Sequence, residues 1–526
     1  MKVLKFFIAF VIATLVNWGL AYLMLPPMNF SAPSFWWFML LAALVCAAAF
    51  GIAGWYDEEF VPAFISLGAA ALALIILTIG GCIGAKMFNS KAYANLLNVS
   101  NTTFEEQFAN VNWNSVPHID HASSAILGDR KMGTLVDEVS QYNVSGSYTL
   151  INQNGKPIRV APLKYSGIFK YFNNKYQGIP GYITVDCVEK AAEFIRLERG
   201  IQYSPSAFFS KNLERHIRNQ FPSKLFDEIS FEINDEGTPY WVIPTYEYTL
   251  GIGGGKSPNG CILTDPVSGD SIFYSLQDIP EWIDHAIDDD TMNSLVVWWG
   301  KYQGGWWNSF MSQKNVRQPT EGNAFITIGN DVYLYTGITS VAMDESNIGF
   351  ILINQRTAEA KYFEMPSAEE YSAMDSAKGQ VQHLNYSSTF PILINLDGHP
   401  TYFLSLKDAA GLVKMYALVS VGDIQKLAVT EASKGIEYLV EEYSKAIGTN
   451  KEEEVEYKTK TFTITNIYSV VVGGNTQFYF EDPKGNIYMT DISKSIKLPV
   501  LTIGDRITVT YTETEVKGYY SVANVK

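Results

Sequence analysis

GYITVDCVEKAAEFI, residues 181–195, is one of three related stretches in this chain; the others are GCILTDPVSGDSIFY at 260–274 and GFILINQRTAEAKYF at 349–363. Each opens on glycine, runs through strand-forming residues, and sets Asp186, Asp265 or Asn354 at the sixth place. After a polar turn each returns to an alternating, partly aromatic run, so each predicts a β-hairpin with an Asp or Asn at its turn. A second phrase recurs as INQNGKP from Ile151, INDEGTP from Ile233 and INLDGHP from Ile394, with a degenerate relative, IGNDVY, from Ile328. The two phrases together form a unit, and the unit repeats.

Helical candidates precede the hairpins at 121–139, 205–221, 291–311 and 367–384. The second of these has Ser204 as N-cap and Pro205 at the first helical position, with Phe208, Leu213 and Ile217 broadly on one face. In the fourth unit the second phrase has decayed to LVKMYALVSV from Leu412, followed by a predicted helix over 421–446. Helix, hairpin, hairpin, repeated four times, gives an α+β fold of tandem helix-on-antiparallel-sheet layers. The units are expected at 118–200, 201–287, 288–366 and 367–447.

Upstream of the repeats, residues 6–25, 35–55 and Val61–Ile83 are free of charge and long enough to cross a bilayer core of about 30 Å. Residues 1–84 therefore read as three transmembrane helices, with Trp36, Trp37 and Trp55 near the ends of the second. Lys2 and Lys5 on one side nearly balance Lys86 and Lys91 on the other. Dominance of the first helix puts the N-terminus in the cytoplasm and the chain after Ile83 outside. Residues 85–117 read as a stalk or packed linker. Residues 448–460, with Lys451, Glu452, Glu453 and Glu454, read as a solvated connector.

The net charge of −15 disfavours binding to nucleic acid phosphates or anionic lipid. Cys46 and Cys82 fall in the membrane helices. Cys187 and Cys261 occupy different places of the repeated phrase and read as core thiols, not as a bridge. From 461 to 526 about five strands are expected, with Gly504 and Asp505 turning into the fourth.

The order of helix and hairpins, with an Asp in the turn, resembles the PepSY domain family of bacterial envelope proteins over residues 117–446. The C-terminal strands resemble an OB-fold barrel, and the whole layout is similar to a group of bacterial multi-domain membrane proteins. The PepSY resemblance implies protease inhibition, regulation or scaffolding outside the membrane, without catalysis. An OB-like barrel implies a surface for oligosaccharide, single-stranded nucleic acid or protein. No basic groove favours nucleic acid here, and protein docking is preferred.

GIGGGKS from Gly251 imitates a phosphate loop, but that spacing needs glycine where Leu250 stands, and a strand follows where a helix is required. It reads as a flexible hairpin loop. His118, Asp120 and His121 could approach a metal, yet Asp120 is a natural helix cap. Asp288, Asp289 and Asp290 suit a helix entrance as well as a cation. His216, His285, His383 and His399 are scattered, with no metal spacing. Neither GxSxG nor a paired Cys and His signature occurs.

No catalytic, cofactor or metal residue is assigned. Asp186, Asp265 and Asn354 are read as turn-capping positions. Trp298, Trp299, Trp306 and Trp307 form the candidate partner surface if exposed, and core if buried. The expected function is a membrane-anchored binding, scaffolding or regulatory protein of the bacterial envelope, its partners the lipid bilayer and envelope proteins. An envelope enzyme acting on glycan or peptidoglycan, and a self-assembling structural protein that pairs open sheet edges, are the alternatives.

Overall fold

The computed structural model describes residues 2–55, 58–135, 137–341, 343–449, 457–472, 475–491, 498–514 and 516–525. Of the expected connector, Lys451, Glu452, Glu453 and Glu454 lie outside the described residues. The chain divides into two compact units, Met1–Ile447 and Gly448–Lys526. The fold is mixed α+β, with eleven α-helices among the described residues.

Three N-terminal helices, α1 (Lys2–Met24), α2 (Pro33–Gly54) and α3 (Val61–Ile83), are long and apolar enough to cross a membrane. Their contacts use small residues: Ala9, Ala13, Ala47, Ala63, Ala70 and Ala73 are buried, while the large apolar side chains point outward. That distribution suits a lipid surround, where close approach of backbones holds helices together. At one pole Lys2 pairs with Glu59 at 2.9 Å. At the other, the end of α1, the start of α2 and the end of α3 meet the first sheets of the soluble part.

That meeting corrects the reading of GIGGGKS as a flexible loop. Residues 249–255 wedge between α2 and α3: the amide of Ile252 donates to Gly80 O (3.2 Å) and that of Gly253 to Ser31 O (3.0 Å). Gly251, Gly253 and Gly255 have φ of 71°, 72° and 66°, a region that favours glycine. On α3, a Cβ at Gly84 would lie 2.2 Å from Leu250 O, and one at Gly80 2.4 Å from the Ile252 side chain. Nearby, the amide of Met28 donates to Pro222 O (2.7 Å), and Arg215 donates to Tyr22 O (3.3 Å) while its guanidinium stacks on the Tyr22 ring.

Residues 85–117 pack closely and do not form a stalk. Helix α4 (Lys86–Ala94) lies against the helix Asp289–Tyr302, and Val99–Asn101 adds a parallel edge strand beside Ala360–Ala368. Thr103 and Glu106 then form a capping box on the short helix Phe104–Gln107, whose Phe104 packs with Phe108 and Phe363.

Among the described residues of the first compact unit four sheets follow, antiparallel apart from the edge strand Val99–Asn101. The first is built on Thr149–Gln153, Lys156–Tyr165, Ile179–Asp186 and Ala192–Ile201, and the second is the meander Ser230–Ile233, Pro239–Tyr248, Lys256–Thr264, Ser271–Ser275. The third centres on Asp331–Ser340, Met343–Asn354 and Ala360–Ala368, the fourth on His399–Lys407 and Val413–Ser420. The three quoted stretches each supply one hairpin, with Ile183 opposite Phe194, Ile262 opposite Phe273 and Ile351 opposite Tyr362. The upstream phrases turn the preceding hairpins. Asn154 and Gly155, and likewise Asp397 and Gly398, take the two positive φ values that a tight hairpin turn requires. The first and second sheets share one core through Ile183, Phe231, Trp241 and Ile262; the third and fourth share another through Tyr335, Phe350, Phe363 and Tyr402.

Helix boundaries depart from the sequence reading. The helix expected from Pro205 begins at Leu213, with Asn212 as its cap, Oδ1 accepting from the Arg215 amide at 3.1 Å. Ser204 instead pairs its hydroxyl with Ser206 (2.9 Å), and Phe209, at φ 58°, blocks a continuous helix. The helices at 291–311 and 367–384 shorten to Asp289–Tyr302 and Glu370–Gly379, and the one at 121–139 to His121–Gly133. The predicted helix 421–446 is a strand, Leu427–Glu431, followed by the helix Ile436–Ile447, because LAVTE alternates with period two.

The second unit holds one six-stranded sheet where five strands were expected, since the long first run breaks at Ile464 and Thr465 into Lys458–Thr463 and Asn466–Val472. From edge to edge the path is Lys458–Thr463, Arg506–Glu513, Tyr519–Val525, Ile487–Asp491, Asn475–Glu481, Asn466–Val472. Ile487–Asp491 and Tyr519–Val525 are parallel neighbours, and all other pairs are antiparallel. Phe480, Tyr488, Leu498 and Val509 fill its interior.

Candidate functional site

The three turn positions behave alike. Asp186 Oδ1 accepts from the amides of Val188 and Glu189, both at 2.8 Å; Asp265 Oδ1 from Val267 (2.7 Å) and Ser268 (3.0 Å); Asn354 Oδ1 from Arg356 (2.8 Å) and Thr357 (3.0 Å). Each oxygen thus satisfies two backbone donors that the turn would leave open. The three residues sit on three different sheets.

The four tryptophans separate into two pairs. Trp298 and Trp299 are buried in the helix Asp289–Tyr302, which lies between α4 and the third sheet. Trp298 meets Tyr93 edge-on at 4.9 Å, with Lys86 Nζ 5.2 Å over its ring; Trp299 meets Tyr362 at 5.4 Å. Trp306 is half-buried and Trp307 is 58% exposed, in the turns that follow the helix. Their rings gather with Phe310, at 4.9 Å between the indoles and 4.6 Å from Trp306 to Phe310. With Met311, 71% exposed, they make an apolar knuckle on the surface.

A site that no motif announced lies where all four sheets converge. There a cavity of about 620 Å³ is lined by His121, Tyr148 and Arg159 of the 118–200 repeat, Glu228 and His285 of the 201–287 repeat, Asp289 of the 288–366 repeat, and Phe390 and Phe403 of the 367–447 repeat. Glu232, fully buried, stitches its wall: its carboxylate accepts from the amides of Asp284 and His285, both at 2.9 Å. Asp284 in turn accepts from the Asn152 amide (2.7 Å), and His285 Nε2 donates to Leu150 O (2.8 Å). This short segment therefore fixes the second sheet against the first. Asp288 caps the next helix through the Thr291 amide (2.8 Å) and pairs with Lys256 (3.3 Å), which leaves Asp289 facing the cavity, bonded to Gln355 at 3.0 Å.

Asp120 caps the helix His121–Gly133 through the Ser123 amide (2.9 Å) and pairs with Lys407. His118 is buried among Trp113, Phe403 and Tyr416. Among the described residues no group of three His, Cys, Asp or Glu side chains is placed to hold a metal ion. Cys187 and Cys261 are both free and buried. Burial pushes their thiols up, to about 11 and about 12, which leaves them unreactive at neutral pH.

Burial also pushes Glu232 and Asp289 up to about 7, Asp289 further because Glu228, Asp288 and Asp290 crowd it. It pushes His118 and His285 down to about 4. The carboxyls contribute stability that is complete below their unfolded values and is lost as pH rises through about 7. The histidines contribute stability that is complete above their unfolded value of 6.5 and is lost as pH falls towards about 4. The two trends oppose each other in mildly acid solution, and above 6.5 the carboxyl trend prevails, reinforced by Glu228, Asp284 and Glu370, which burial also raises. Melting of the detergent-solubilised chain should therefore move to lower temperature between about pH 6.5 and about pH 8, and Asp289→Asn should flatten that slope. A melting temperature that rises over this interval would refute the assignment.

Neither family models nor curated proteins give a match to this chain.

Proposed function

We propose that this chain is a membrane-anchored, non-catalytic binding or scaffolding protein of the bacterial cell envelope that works through protein contacts. In this reading four PepSY-like units and an OB-like module stand outside the membrane, with the N-terminus in the cytoplasm. The observation that carries it is the knuckle of Trp306, Trp307, Phe310 and Met311, an apolar cluster left on the surface of a strongly acidic chain. Exposed clusters of this composition favour docking, because aromatic and Met side chains bury much area at small entropic cost. The PepSY-like reading is supported by the three hairpins with matching Asp and Asn turns. The OB-like reading is supported by the strand path of the second unit, in which a broken first strand flanks both edges and the third and last strands are parallel neighbours.

One experiment tests both location and contact. Phe310→Cys is labelled in intact cells with a membrane-impermeant maleimide that carries a benzophenone, and is then illuminated. Cys46 and Cys82, which are free and not buried, are replaced by alanine beforehand, and the buried Cys187 and Cys261 offer the reagent no thiol. We expect labelling without lysis and a discrete adduct with a second protein, absent when the label sits instead at the exposed Ser433. Labelling only after lysis overturns the envelope placement. Labelling without an adduct beyond the Ser433 control overturns the partner surface.

A further inference from the structure

The charge in the soluble part that its own surroundings explain least is Arg159. It lies on the strand Lys156–Tyr165, only 9% exposed, and borders the central cavity. Its Nη1 donates to Tyr148 O at 3.0 Å, the buried Cys187 thiol is its other partner, its Nε has no partner, and it makes no ion pair among the described residues. A guanidinium withdrawn from water and given only neutral partners is costly, because burial of a charge is offset only by an opposite charge or a full set of hydrogen bonds. The carboxylate whose charge reaches it, Asp120, does not pair with it, being bonded to Lys407 and the Ser123 amide. The planar fork of an arginine is shaped for a carboxylate. Beside Arg159 the cavity is bordered by His121 and His285, which add no negative charge.

The rest of the cavity has a different character. Glu228 and Asp289 form an acidic stretch of wall, and Phe325, Phe390, Phe403 and Ile392 form an apolar one. A multiply charged anion such as phosphate would be repelled by the two carboxyls, and a purely apolar ligand would leave Arg159 unanswered. A ligand with a carboxylate, an apolar body and a cationic group meets all three surfaces. The volume, about 620 Å³, lies in the range typical of small-molecule sites. We propose that this cavity binds a small zwitterion, an amino acid or a short peptide with an apolar side chain, its carboxylate on the Arg159 guanidinium and its amine towards Glu228 and Asp289. This inference stands apart from the knuckle at Trp307, which lies outside the cavity, and neither depends on the other.

The test uses the full chain in detergent micelles and isothermal titration. The probes are free L-phenylalanine, the dipeptide alanyl-phenylalanine, its C-terminal amide, its N-acetyl derivative and inorganic phosphate. At least one of the two free zwitterions should bind saturably below about 10 mM. Amidation of the dipeptide, or Arg159→Gln, should weaken binding by about tenfold or more, since each removes a charge-assisted pair. N-acetylation, or Asp289→Asn, should weaken it by about threefold or more. Phosphate should give no heat. Because the amide and the acetyl derivative leave the protein untouched, the result stands even if Arg159→Gln fails to fold. Absence of binding by both zwitterions, binding indifferent to amidation, or binding of phosphate alone would each overturn the proposal.

Discussion

Trp298→Ala should destabilise the soluble part by about 3–5 kcal/mol, the cost of a large cavity in a packed core, whereas Trp307→Ala should change stability by less than about 0.5 kcal/mol. The contrast follows from position. Trp298 is covered by Tyr93, roofed by Lys86 and part of the core cluster that holds Leu295, Val296 and Tyr302, so its removal opens a void between α4 and the third sheet. Trp307 is more than half exposed and touches mainly its own knuckle. Thermal and denaturant unfolding of the solubilised chain read the difference directly. Equal losses for the two variants would mean that the knuckle is a structural element and would remove the ground for treating it as a docking surface. A Trp307→Ala chain that melts normally but gives no adduct in the benzophenone experiment would assign the knuckle to partner contact.

The second large effect is expected at Gly84. Its Cβ would stand 2.2 Å from Leu250 O, a backbone atom that cannot turn aside, so Gly84→Ala must push the 249–255 loop off α3. Two further contacts depend on that approach: Tyr93 Oη donates to Gly84 O (2.8 Å) and accepts from the Gly255 amide (3.0 Å). Loss of this set should expose the loop and raise the rate of cleavage after Lys256 by a lysine-specific protease by about tenfold or more, as local opening becomes easier. Gly81→Ala is the control, because a Cβ there meets nothing within 4 Å. If both variants are cut at the wild-type rate, the wedge does not hold the loop in place.

How much of this was legible in the sequence depends on whether the cause is local. The hairpins were legible because glycine, β-branched residues and an Asp or Asn recur at fixed intervals, and those choices act over a few residues. The three apolar helices were legible for the same reason. Helix ends were not: Pro205 and Ser204 make a good local start, but the backbone at Phe209 is set by tertiary packing and moves the start to Leu213. GIGGGKS looked flexible because its glycines were counted without knowing that Gly80 and Gly84 of α3 would meet them. The cavity could not be read at all. Arg159, Glu228, His285 and Asp289 come from three different repeats, and each looks ordinary within its own. A buried arginine on a strand that otherwise reads as core was the one available signal. The tryptophan doublets were visible, but identical dipeptides gave no hint that a helix sandwiched between two layers would hide the first while the turns after it display the second.

The wedge at 249–255 also has a mechanical meaning. The second sheet and the neighbouring helix Leu213–Gln220 are fastened to the ends of all three apolar helices: Arg215 to α1 at Tyr22, Gly253 beside the start of α2 at Ser31, and Ile252 to α3 at Gly80. Contacts to three different helices resist swivelling about any one of them. A sideways pull on the sheet, from whatever binds, is delivered to the helix ends as torque instead of being absorbed by slack, and a change in helix tilt would be delivered back to the sheet in the same way.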